Sequence, residues 1–274
     1  MSYSVDEITF LNFDYSLTEQ KNLHKFPHHW IDCSHILHTN GYCEAASLSE
    51  IRKKLHAGGT GNLVFIGNGN YHYVSYLLLE RITLPFSLIL FDHHSDMMDA
   101  SQPLISCGSW VAHALRDLPL LQKVVIIGVN ETDAKIFVEN RQGANDRIYM
   151  ISEHKLHSHS LHEIMSEVGA FLGAELNIYV SIDKDVLFRT EAMTNWDQGT
   201  MSLVQLLFLL EKFMNKYQVL GLDVCGEYIF NDHNHFQAIT GEHIKMNEIV
   251  NRSLIDLVTN LSDTREEQEQ IVHH

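Results

Sequence analysis

Short apolar, largely β-branched runs recur along the chain at Ile8 to Phe13, Leu63 to Ile66, Leu88 to Phe91, Val124 to Val129, Ile148 to Ile151, Ile178 to Ile182 and Val219 to Val224. Continuous runs of this kind predict strands buried on both faces. Between them the apolar spacing becomes helical over Ser47 to Ala57, Tyr73 to Glu80, Trp110 to Leu115, Leu161 to Leu172 and Leu203 to Met214. The last segment is apolar enough to need cover from other structure, and Ser202 is placed to cap its first turn. Strands alternating with helices predict an α/β fold, a mostly parallel sheet with helices on both faces, in which ligands collect at the carboxyl ends of strands. There is no internal repeat or low-complexity linker and there are only four prolines, so one domain is expected over residues 1–274, with the charged stretch after Leu261 frayed.

Composition narrows the function. The apolar share of 45% and charged share of 20% are those of a chain with a sizeable core. A formal net charge of -16 disfavours nucleic acid and anionic membrane surfaces as partners and favours cationic ligands and metal ions. Cys33, Cys43, Cys107 and Cys225 are scattered without a CxxC pair, which indicates neither a zinc ribbon nor a disulfide framework and points to a reducing cytoplasm. Met1 to Phe13 is too acidic for a signal peptide, and no apolar run reaches the roughly 18 residues that span a bilayer, so a soluble protein is expected. A homo-oligomer is compatible with all of this.

The third apolar run ends in Asp92-His93-His94-Ser95-Asp96, and the sixth ends in Ser181-Ile182-Asp183-Lys184-Asp185. In an extended stretch residues two apart point the same way, so Asp92, His94 and Asp96 can converge at one sheet edge, as can Asp183 and Asp185. Buried carboxylates are costly unless a cation or hydrogen-bond donors compensate them, so a metal is the economical explanation. The second run leaves through Gly67-Asn68-Gly69-Asn70-Tyr71-His72, which brings a further imidazole to that edge. Two imidazoles and four carboxylates exceed one catalytic zinc and suit a pair of ions, the equipment of metal-assisted hydrolysis.

These three motifs resemble those of the ureohydrolases, the arginase, agmatinase and formiminoglutamase superfamily. Gly69-Asn70-Tyr71-His72-Tyr73 is similar to their Gly-Gly-Asp-His-Ser, Asp92 to Asp96 to their Asp-Ala-His-x-Asp, and Ser181 to Asp185 to their Ser-x-Asp-x-Asp. The similarity spans roughly residues 60 to 230 and implies a three-layer α/β/α arginase-like fold holding two manganese ions. By the family's pattern His72, Asp92, Asp96 and Asp183 hold one ion, and Asp92, His94, Asp183 and Asp185 the other. Asp96, or a neighbouring proton carrier, would also orient the attacking hydroxide.

Departures from the pattern bear on the substrate. Where the family grips a free α-carboxylate and then carries a His-Gly pair, this chain reads Met97 to Trp110, with Met98 at the asparagine position and Cys107-Gly108 in place of His-Gly. Cys107, Gly108 and Trp110 are thereby expected along the substrate. Glu227, in Gly221-Leu222-Asp223-Val224-Cys225-Gly226-Glu227, resembles the glutamate that holds the guanidinium but falls one position late. The family's proline-rich segment is replaced by Phe188 to Glu191 and Asn195 to Gly199. The resemblance thus implies hydrolysis of a guanidino group to ornithine and urea, with arginine presented inside a peptide or other derivative. The alternatives are a free-arginine or agmatine ureohydrolase, a zinc-dependent amine deacetylase with a single metal, and a non-catalytic metal-binding relative.

Other conspicuous residues have plainer explanations. His113, His157, His159 and His235 are expected as surface or core filler. The Gly67 to Gly69 turn lacks the ending of a phosphate loop. Cys107 and Cys225 are packed thiols rather than nucleophiles, and Trp110 and Trp196 line either a pocket or the core.

Overall fold

A parallel sheet divides the molecule, and its order decides which strand ends can meet. In this computed structural model, residues 7–99, 104–139, 146–229 and 238–272 are described. The first half of the chain forms β1 (Ile8–Asn12), β2 (His28–Asp32), β3 (Tyr42–Cys43), α1 (Ala45–Ala57), β4 (Leu63–Asn68), α2 (Val74–Leu79), β5 (Phe86–Phe91), β6 (Ile105–Ser106) and α3 (Trp110–Asp117). The second half forms β7 (Leu121–Val129), α4 (Glu131–Glu139), β8 (Ile148–Ser152), α5 (Glu153–Ser158), α6 (Leu161–Leu172), β9 (Asn177–Asp183), α7 (Leu203–Lys216), β10 (Gln218–Glu227) and α8 (Ala238–Val272).

The main sheet runs β2-β1-β4-β10-β9-β5-β7-β8, and every neighbouring pair in it is parallel. All the apolar runs of the sequence are strands. The eighth strand, β2, was not legible as one because His28-His29-Trp30-Ile31-Asp32 buries only Ile31, as an edge strand with one covered neighbour can. Successive residues of the central strands feed opposite layers. Leu63, Phe65, Ile89, Phe91, Val180 and Ile182 pack with α6, α7 and α8, the last contributing Val250, Leu254 and Val258. Val64, Ile66, Leu88, Leu90, Val124 and Ile126 pack with Ile51 of α1, Leu77 of α2 and Trp110 of α3. Each fully buried Leu, Ile or Phe contributes roughly 1.5–3 kcal/mol, so two such layers carry the stability of the fold.

The helices obey local rules. Ser202 accepts from the Gln205 amide while Gln205 reaches back to the Ser202 amide, the reciprocal box that starts α7, and Ser160 with Glu163 does the same for α6. α8, absent from the sequence-based expectation, spans the charged stretch after Leu261. Among the described residues no helix is long and apolar enough to cross a membrane. His235, the terminal histidines and Ala100 to Pro103 of the altered loop lie outside the described residues.

After β4 the chain crosses to β5, and only later returns to insert β9 and β10 between the two. The carboxyl ends of β4, β10, β9 and β5 therefore stand side by side at the centre of one sheet edge, where open α/β sheets bind ligands.

Candidate metal centre

Each of the three motifs bends at its strand exit through the same device. The Asn68 side chain accepts from the Asn70 amide at 2.8 Å and starts the tight turn that delivers His72. Asp92 Oδ1 accepts from the His94 amide at 2.7 Å, and Asp183 Oδ1 accepts from the Asp185 amide at 2.9 Å. The ligand-type residues thus converge through side-chain-closed turns rather than through the extended alternation expected from their spacing. Asp96 adopts a left-handed backbone with φ of 50°, rare for a residue with a side chain and costing roughly 1–3 kcal/mol.

Two clusters result, and they share one carboxylate. His72 Nδ1 lies 3.0 Å from Asp96 Oδ2, 3.3 Å from Asp92 Oδ2 and 3.6 Å from Asp183 Oδ2. His94 Nδ1 lies 2.9 Å from Asp185 Oδ2 and 3.6 Å from Asp92 Oδ1. Asp92 therefore turns one oxygen to each imidazole. His72 and the four aspartates are buried, and His94 is half-buried. The chain's six ligand-type residues are all brought together.

Burial, followed by the charge of Asp92, pushes the Asp96 carboxyl up to about 7. Burial and neighbouring carboxylates raise Asp183 and Asp185 as well. For Asp92, burial is outweighed by His72 and His94, which hold it below the usual carboxylate range. Four carboxylates crowded this closely, with two imidazoles as the side chains that face them, call for added positive charge.

The orientation of His72 fits a metal. Ser181 Oγ donates to Asp223 Oδ1 at 2.6 Å, so it must accept from His72 Nε2, 3.0 Å away. A neutral ring with its proton engaged there would offer the Nδ1 lone pair to a cation held among the three carboxylates, and Asp92 Oδ2 is buried without a hydrogen-bond donor. Both observations, with a donor set rich in oxygen and nitrogen, fit a pair of divalent cations. His94 is held similarly, its Nε2 lying 3.1 Å from Asp197 Oδ1. Ser181→Ala is expected to weaken metal binding by about 10- to 100-fold with the fold intact, as measured by calorimetric titration. Unchanged affinity would show that the relay does not orient the ring.

A cleft of about 300 Å³ opens over the clusters, lined also by Tyr42, Met98, Cys107, Gly108, Asp133 and Trp196. Cys107 and Gly108 are thus on the wall of this cleft. Burial, with Asp96 nearby, pushes the Cys107 thiol up to about 12, which suits a packed thiol. Two expectations need correction. Trp110 is fully buried behind the cleft, donating from Nε1 to Asp96 Oδ2 at 2.6 Å with its ring 4.9 Å from that of His72, so it braces these two residues and does not line the cleft. Glu227 does not line the cleft: its carboxylate pairs with the fully buried Lys184 and accepts from Gln20 at 2.7 Å, Asn251 at 2.6 Å and Asn247 at 3.0 Å. The one-residue shift at Gly226 sends it to the other side. A Cβ at Gly226, which has φ of 90°, would stand 2.5 Å from Asp183 Oδ1, so only glycine fits there.

Asp133, Asp197 and the Ser181–Asp223 relay escaped the sequence argument. Asp223 alone carried a signal, an aspartate inside an apolar strand. His113, His157 and His159 do not line the cleft and are bonded to Arg116, Thr200 and Ser158.

Comparison with known proteins agrees with this geometry. An uncharacterized protein of Thermotoga maritima is 31% identical over 165 residues, 60% of this chain and 58% of that relative. The match thus spans less than two thirds of the relative's length. Agmatine ureohydrolase of Thermoplasma volcanium superposes with a TM-score of 0.66 at 12% identity, covering 97% of this chain and 92% of that one. Formimidoylglutamase from Bacillus subtilis also gives 0.66, at 11% identity and with 95% and 88% covered. These likenesses establish the shared fold. The sequence profile of the Arginase family matches residues 12–270, which takes in every strand exit that supplies the clusters, and the chain therefore belongs to the arginase family.

Proposed function

We propose that the chain is one arginase-like metallohydrolase domain that holds two divalent cations and hydrolyses the guanidino group of an arginine carried in a peptide or similar derivative, leaving ornithine and urea. The observation that carries this reading is the pair of histidine–carboxylate clusters joined through Asp92 at the floor of an acidic cleft. His72, Asp92, Asp96 and Asp183 would hold one ion and Asp92, His94, Asp183 and Asp185 the other, with manganese the ion that the resemblance implies. Such a pair supplies Lewis-acid polarisation and a water activated near neutral pH.

The protein's own side chains do the rest. With the four floor aspartates balanced by two divalent cations, Asp133 on the wall leaves a negative charge that attracts a cation such as guanidinium. The partly exposed rings of Tyr42 and Trp196 offer faces on which a planar cation can stack. Asp197 holds the outer nitrogen of His94 and Trp110 holds Asp96, so the reacting floor is fixed before substrate arrives. No lysine or arginine is among the described residues lining the cleft, and Met98 stands exposed where the family's asparagine would be. A free α-carboxylate finds no cationic partner there, which supports substrates lacking one. All four cysteines are free, in keeping with action in a reducing cytoplasm.

The test is urea release with manganese from arginine-containing peptides, free arginine and agmatine. Peptides are expected to be the preferred substrates. Turnover confined to free arginine overturns the peptide assignment, preference for agmatine moves it to a small amine, and metal binding without urea from any of them leaves a non-catalytic relative.

A further inference from the structure

Four strand ends meet at the cleft floor, and β10 lies between β4 and β9, yet the cation positions above take no ligand from it. In the sheet register Cys225 of β10 stands opposite Asp183 of β9. Its side chain is buried, its Sγ lies 3.0 Å from Asp183 Oδ2, and ligand atoms of His72, Asp183 and Cys225 all lie within 4.8 Å of one another. A zinc ion bound at about 2.3 Å to sulfur and about 2.0–2.2 Å to nitrogen and oxygen places neighbouring donors roughly 3 to 3.6 Å apart. The cysteine is thus not an isolated thiol: a buried imidazole and a buried carboxylate complete the triad.

From this juxtaposition we propose that Cys225 is a sulfur ligand of the cation position built on His72 and Asp183, and that it makes this position select a zinc-class ion, zinc or cobalt, ahead of manganese. The inference rests on reading the clusters as a metal centre. Its physical basis is ligand softness: oxygen and imidazole donors suit manganese, whereas a thiolate shifts preference toward zinc and cobalt. Coordination replaces the S–H bond with a sulfur–metal bond and releases one proton to solvent, the thiol hydrogen now shared with Asp183. A sulfur that merely donates a hydrogen bond to Asp183 would keep that proton.

The experiment is to titrate the full chain, stripped of metal, with cobalt and record absorption in the near ultraviolet, where thiolate–cobalt charge transfer appears. The wild type is expected to develop the band, C107S to keep it, and C225S to lose it while still taking up cobalt. C225S is also expected to release about one proton fewer per ion, and to lose on the order of 100-fold of its zinc-over-manganese preference, at least the cost of losing an outer partner of a ligand. If C225S does not fold, the wild-type band together with its loss in C225A decides the matter. Cobalt uptake by the wild type without the band overturns the proposal and leaves the metal centre standing. A band that survives in C225S also overturns it, and failure to bind cobalt, zinc or manganese overturns both.

Discussion

Asp92→Asn is expected to abolish turnover and to reduce the bound metal from the proposed two ions per chain to one or none. The substitution keeps the size of the side chain and leaves an oxygen for the His94 amide, but it removes the charge that faces both imidazoles. A loss of several kcal/mol of transition-state stabilisation corresponds to on the order of 10³-fold in rate. Asp185→Asn makes the natural contrast, because of the two facing imidazoles Asp185 approaches His94 and not His72, so its loss should spare the ion at His72. Elemental analysis of both variants, with urea release measured alongside, checks the pair. Ligand-linked stabilisation follows the same order: the gain of about 2.7 kcal/mol that a hundredfold excess over Kd confers should be largely lost in Asp92→Asn. An Asp92→Asn protein that retained two ions would show that this carboxylate is not shared.

The second large effect concerns stability. Lys184 is fully buried between two aspartates of the centre, and burial lowers its pKa in spite of its pairing with Glu227. Removing one partner of such a pair costs about 3–5 kcal/mol, because the other is left as an uncompensated buried charge. Glu227→Ala is therefore expected to lose stability on that scale in denaturant unfolding and also to take one acceptor each from the amides of Gln20, Asn247 and Asn251. Combining Glu227→Gln with Lys184→Met removes both charges while keeping an acceptor for those amides, and should recover much of the loss. The kinetic signature separates this role from guanidinium binding. For Glu227→Gln the KM of any guanidino substrate should stay close to that of the wild type, whereas a rise of tenfold or more, worth about 1.4 kcal/mol, would return Glu227 to the substrate.

What the sequence revealed of the fold and site follows physical lines. Buried parallel strands announce themselves because both faces must be apolar, so β1, β4, β5, β7, β8, β9 and β10 were all readable. β2 was not, since an edge strand flanked by histidines and an aspartate has no such pattern. The clusters were legible because aspartates at the ends of apolar strands are too costly to be accidental. Residues that support them were not, since Asp133, Asp197 and Trp110 act across distances that spacing along the chain does not encode. The failure at Glu227 is the most instructive. One extra residue at Gly226 reverses the direction of the next side chain on a strand, and alignment to a motif does not register that reversal.

The position of β10 also governs how the molecule is assembled. As the chain is synthesised, β1, β2 and β4 can pair with one another, and β5, β7, β8 and β9 can form a second group, but no strand of the main sheet joins the two until β10 has been made. Its register with both sides, Leu222 to Leu63 and Val224 to Ile182, joins segments far apart in the chain, the kind of closure that folds slowly. His72 belongs to one group and the aspartates it faces belong to the other. A cation held as proposed would therefore span the same seam that β10 closes, tying the two groups together at one edge of the sheet.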